Sequence, residues 1–189
     1  EACREIRKWH DAGHDNITIS VNVSAHQFRN ENFLLSVHKF LRDSGLNGRF
    51  LELELTESAL MDDINAAITA LHKLKELGVG LAIDDFGTGY SSLNYLKQLP
   101  IDRLKIDKSF VRDIPANADG VAITQAIINL AHNLNMRVVA EGVETKEQLE
   151  FLTSEKCDIV QGFLYGKPGP ADESYRLLQH GIQDFALGK

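Results

Sequence analysis

The sequence predicts an α/β fold built on a parallel sheet, and three observations predict it. Six short runs of aliphatic and β-branched residues start near 17, 51, 79, 103, 137 and 158. Their mean spacing, about 28 residues, leaves room for a helix in every connection. The stretches between them carry apolar residues at helical spacing, so strand and helix periods alternate along the chain.

Each element has its own signature. The strands are ITISVNV (17–23), LELEL (51–55), VGLAI (79–83), RLKID (103–107), MRVVA (136–140) and DIVQG (158–162). All are too short for helices and have the composition of buried parallel strands. One helical face carries Phe33, Leu34, Val37, Phe40 and Leu41, and a second Ile64, Ala67, Ile68, Leu71 and Leu74. A third carries Ile123, Ile127, Leu130, Ala131 and Leu134. Gly78 stands where the second of these helices should end. Thr145 and Gln148 have capping-box spacing at the start of a fourth. The opening EACREIRKWH reads as helix interior, without a capping residue or the apolar core of a signal peptide.

Composition bounds the function classes. Of 189 residues, 43% are apolar and 25% charged, the balance of a globular protein with a core. That excludes a disordered tail, a collagen-like rod and a disulfide miniprotein. Lys plus Arg number 20 against 27 Asp plus Glu, a net charge of -7, which argues against binding of nucleic acid polymers. An anionic substrate would need metal ions to be held by such a chain. Cys3 and Cys157 belong to no CxxC pair and read as free thiols of a reducing, cytoplasmic compartment. No apolar run approaches the roughly 20 residues of a membrane span, so no membrane contact is expected of this segment.

The chemistry concentrates at the carboxyl ends of the strands. Asn22, Glu54, Asp84 with Asp85, Lys105, Glu141 and Gln161 stand there, one polar or ionisable group for every strand. Any one alone reads equally as a helix cap or a surface residue. Six out of six is a pattern, and in an α/β barrel these positions converge on one mouth. A doubly wound sheet would spread them along an edge. The barrel reading is a (β/α)8 type with six of its eight βα units in this chain. Carboxylates gathered there would repel one another without cations, and hard oxygen donors suit Mg2+, Mn2+ or Ca2+. The adjacent Asp84 and Asp85 allow one carboxylate to bridge two ions, the arrangement of a two-metal phosphoester site. Lys105 would then face phosphate or attacking water. Glu52 alternates with Glu54, and either reading, site residue or solvated member of the pair, is open for it. Other motifs fail: Gly87–Ser92 lacks the context of a dinucleotide fingerprint. His10 and His14 flank a helix end at Gly13 and read as exposed. The Asn22-Val-Ser24 sequon falls in a strand expected to be buried.

Six segments resemble the EAL-domain family of bacterial phosphodiesterases acting on cyclic di-GMP. They are VNVSA (21–25), ELTES (54–58), IDDFGTGYSSL (83–93), LKID (104–107), AEGVET (140–145) and QGFLYGKP (161–168). The resemblance implies a (β/α)8-type barrel with two divalent ions, Mg2+ or Mn2+, and hydrolysis to the linear dinucleotide pGpG. It implies Asn22, Glu54 and Asp84 as ligands of a first ion, with Asp84 bridging to a second that Asp85 also binds. Glu141 and Gln161 resemble positions holding metal-bound and neighbouring waters. Lys105 resembles the lysine that orients the nucleophilic water, and Asp107 a substrate-binding position. Glu57 resembles the glutamate that anchors loop 86–92, where Gly87 and Gly89 suit a hinge and a homodimer contact. The alternative is a non-catalytic module that binds cyclic di-GMP or a partner protein.

The Glu-Ala-Leu segment that names the family does not occur in this sequence. The expectation is therefore the C-terminal three quarters of the domain over 1–189, with sensory or GGDEF modules upstream. Six strands cannot close an eight-stranded barrel, so open edges at 17–23 and 158–162, association through them, a weakened first metal and little activity of the segment alone are expected.

Overall fold

Apolar runs and amphipathic stretches alternate in the computed structural model as expected, over the described residues 1–61, 63–88 and 93–180. Two compact units form, Glu1–Leu104 and Lys105–Lys189. The first contains helix α1 (Ala2–Asp11), strand β1 (Ile19–Val23), α2 (Ala25–Phe28), α3 (Phe33–Ser44) and β2 (Leu51–Thr56). There follow α4 (Glu57–Met61), α5 (Ile64–Glu76), β3 (Gly80–Phe86) and α6 (Leu93–Leu96). Strand β4 (Arg103–Ile106) carries the chain from the first unit into the second. The second unit continues with α7 (Lys108–Val111), α8 (Ala118–Asn133), β5 (Arg137–Glu141), α9 (Lys146–Ser154), β6 (Ile159–Gln161) and α10 (Ala171–His180). No helix among the described residues is long and apolar enough to cross a membrane.

In the first unit β1, β2 and β3 are parallel neighbours. Asn22 stands opposite Glu54, Glu52 opposite Gly80, and Thr56 opposite Asp84. Alternation puts Leu51, Leu53 and Leu55 on one face of β2, and Glu52, Glu54 and Thr56 on the other. The leucines are 0–4% exposed and belong to a core shared with Leu71 and Leu74 of α5 and with Leu81 and Ile83 of β3. Asp63 caps α5 by accepting the Ala66 amide at 3.1 Å. Gly78 ends it at φ +80, as its place in the sequence predicts. Strand β1 starts two residues later than expected, because the Ile17 carbonyl accepts a bond from His10 Nε2 at 2.8 Å. His10, expected to be exposed, is half-buried against the Phe50 ring.

In the second unit β5 and β6 are parallel, with Glu141 opposite Gln161. The capping box at Thr145 and Gln148 forms, and Gln148 Nε2 also donates to the carbonyls of Val111 and Arg112. The buried face of α8 is Thr124, Ile127, Ile128 and Ala131, rotated by about one residue from the expected stripe, and Ile123 is 38% exposed. Phe40 of α3 likewise faces outward, at 58% exposed, while Val37 and Leu41 are buried.

Candidate active site

Asn22, Glu54 and Asp84 lie on one face of three neighbouring strands. Asn22 and Glu54 are register partners, and Asp84 stands two residues beyond Ala82, the partner of Glu54. With strands about 4.8 Å apart and side chains repeating every second residue, these donors form a patch of oxygen atoms. Glu54 is 7% exposed. Asn22 is exposed, which corrects the expectation that its sequon is buried in a strand.

Regular alternation would turn Asp84 and Asp85 to opposite faces of β3. The backbone of Asp85 prevents this: its φ is +53, a left-handed conformation that Asp tolerates better than most residues. Oxygen atoms of the two carboxylates lie within 4.8 Å of one another, and the Asp85 amide donates to Asp84 Oδ1 at 3.1 Å. A turn follows in which Thr88 Oγ1 donates to the Asp85 carbonyl at 2.8 Å. Backbone strain of this kind collects at functional sites. Asn22, Glu54, Asp84 and Asp85 are all hard oxygen donors, the set that fits Mg2+ or Mn2+.

Glu57 opens α4 and is 4% exposed, and both its carboxylate oxygens are buried with no hydrogen-bond partner among the described residues. The loop it is expected to anchor includes 89–92, Gly89 among them, which lie outside the described residues.

The second unit brings together Lys105, Glu141 and Gln161. Lys105 is 3% exposed, and its Nζ meets Glu141 Oε1 at 2.6 Å. Gln161 ends β6 beside Glu141 and is exposed. Two glycines shape these strand ends. Gly142 has φ +72, and a Cβ on Gly162 would collide with the Val143 carbonyl oxygen. Asp107 accepts the Ser109 amide at 2.9 Å and so caps α7.

Sequence reasoning missed one network. Glu52, for which a solvated place is one of the open readings, is 4% exposed and meets the Arg103 guanidinium at 2.8 Å. The available signal is spacing: Arg103 precedes Lys105 by two residues, as Glu52 precedes Glu54.

Strand and helix alternation with hard oxygen donors at strand ends defines an α/β protein with polar side chains at the carboxyl ends of its strands, where α/β barrels build their sites. The sequence profile of the EAL domain matches residues 1–168, and the chain belongs to that family. The cyclic di-GMP phosphodiesterase NbdA of Pseudomonas aeruginosa is 50% identical over 89% of this chain and 22% of its own length. MucR of the same organism, a bifunctional diguanylate cyclase/cyclic di-GMP phosphodiesterase, is 49% identical over 92% of this chain and 25% of its own. The chain thus spans about a quarter of the curated relatives it matches. The solved MucR phosphodiesterase in complex with cyclic di-GMP matches with a TM-score of 0.89 and 48% identity, over 92% of this chain and 70% of that one. The EAL domain of Mycobacterium smegmatis DcpA matches at 0.90 and 42%, over 95% and 81%. A manganese and cyclic di-GMP complex of Klebsiella pneumoniae BlrP1 matches at 0.78 and 28%, over 88% and 43%. The fold is the TIM-like (β/α)8 type of these structures, with six βα units in this chain.

Proposed function

We propose that this chain serves the hydrolysis of one phosphodiester bond of cyclic di-GMP, giving linear pGpG, with two divalent cations, Mg2+ or Mn2+. The observation that carries the reading is the acid pair at the end of β3, turned toward one another by the left-handed Asp85. Its support is the 48% identical MucR structure, which holds cyclic di-GMP. When bound, such cations withdraw charge from phosphate oxygens and make water a nucleophile at neutral pH. Asn22, Glu54 and Asp84 would hold the first, and Asp84 and Asp85 would hold the second. Lys105, held in place by Glu141, orients the attacking water. Gln161 extends the polar row beside Glu141, and Asp107 contacts substrate. Glu57 anchors the loop that follows β3, and the active form is a homodimer.

The test is Asp84→Asn in the full-length protein, which removes charge and little volume. Mn2+-dependent hydrolysis should fall by at least about 10²-fold with the fold intact. A wild-type rate in the variant would remove Asp84 from the site. Tight cyclic di-GMP binding by the unmodified protein with no hydrolysis in Mn2+ or Mg2+ would replace this reading with the receptor.

A further inference from the structure

One layer below Asn22 and Glu54 lies a second row on the same face: Ser20, Glu52 and Gly80, which are register partners. Glu52 Oε1 accepts the Ser20 hydroxyl at 2.9 Å and Arg103 Nη1 at 2.8 Å. Gly80 stands in the same row with no side chain, and a Cβ there would lie 3.5 Å from both Cβ and Oε2 of Glu52. That is ordinary van der Waals contact, and the Arg103 guanidinium reaches Glu52 across β3. A buried ion pair is weak evidence for stability, since apolar residues of equal volume serve as well or better. Its better-attested use is to fix geometry.

The strand most in need of fixing is β1. Only Val23 of its five residues is buried, so apolar packing pins its register weakly. The Ser20–Glu52 hydrogen bond ties β1 to β2 two residues before Asn22 and Glu54. We infer that Glu52 is a positioning residue for the cation-binding row: held by Ser20 and Arg103, it sets the β1–β2 alignment and hence the spacing of the Asn22 and Glu54 oxygens. The inference rests on the proposed reading of Asn22 and Glu54 as ligands.

The experiment measures Mn2+ affinity by calorimetry on the whole chain, with thermal unfolding alongside. Residues that orient metal ligands from outside the ligand set typically contribute 10–100-fold in affinity. Glu52→Ala and Arg103→Met should therefore weaken Mn2+ binding by about tenfold or more, while Arg103→Lys, which keeps a cation opposite Glu52, should recover most of it. Glu52→Gln and Ser20→Ala leave the core filled and supply the answer if Glu52→Ala does not fold; each should weaken Mn2+ by a smaller factor. Variants that lose thermal stability yet bind Mn2+ as the unmodified chain does would reduce the network to a structural role and overturn the inference alone. An unmodified chain that binds no Mn2+, or binds it equally after Asp84→Asn, would overturn the reading of the site and the inference with it.

Discussion

A lysine that is 3% exposed carries its charge only at a desolvation cost, which an anion close by offsets, and Glu141 stands at 2.6 Å. Such a desolvated, fixed charge acts on a developing negative charge far more strongly than a surface lysine would. Lys105→Met keeps the aliphatic stem and removes the charge. In the full-length protein it should lower kcat by roughly 10²-fold with little change in KM. A rise in KM alone would make Lys105 a ground-state contact. The place of Lys105 at a strand end was legible from spacing, and so were Asp84 and Asp85. Two things at this scale were not. Asp85 takes a left-handed backbone that no local residue pattern announces. Glu52 is buried and not solvated because its partner, Arg103, comes from a strand 51 residues away.

Between elements the same clamp occurs twice, at the amino ends of the strands. Asp102, just before β4, accepts the Leu81 amide at 2.8 Å and binds Lys75 Nζ at 2.7 Å. Asp158, just before β6, accepts the Val138 amide at 2.8 Å and meets His132 Nε2 at 3.0 Å. In each case one carboxylate joins the start of the neighbouring strand to the helix that precedes it. Burial works to raise the Asp158 carboxyl, but the Val138 amide, the bond and charge of His132 and the charge of Arg137 hold it below its ordinary value. A carboxyl depressed in the folded state adds stability above its unfolded value, about 3.9, which is lost as pH falls through the folded value. Urea unfolding should therefore show Asp158→Asn less stable than the parent throughout pH 7 to about 5. The difference should shrink below about pH 4. A difference that persists unchanged to pH 3 would show that the clamp acts without its charge. Helix caps at Thr145 and Gly78 were legible because they are local. The face that α8 buries was not: Ile123 and Thr124 fit a helical stripe equally well, and only packing chooses the threonine. The clamps themselves join residues about 20 apart and have no local signature.

At the scale of the whole molecule, 27 acidic against 20 basic residues make every cation bound at the strand ends a relief of like-charge repulsion. The Asp84 and Asp85 oxygens, within 4.8 Å of one another, are a point where that repulsion acts at short range. Binding to the folded chain alone stabilises it by about 2.7 kcal/mol at a hundred times Kd. For a chain of this size that raises Tm by about 5–10 °C. Thermal unfolding in Mn2+ should show this rise, and excess chelator should reverse it. Asp84→Asn separates the two contributions, because it removes a ligand and a repelling charge together. Without metal the variant should melt at or above the parent temperature, and with Mn2+ it should gain little or nothing. A metal-free variant that melts well below the parent would show Asp84 held by structural bonds that outweigh the repulsion. A parent chain whose Tm ignores Mn2+ at millimolar concentration would show that these strand ends hold no cation in the folded state.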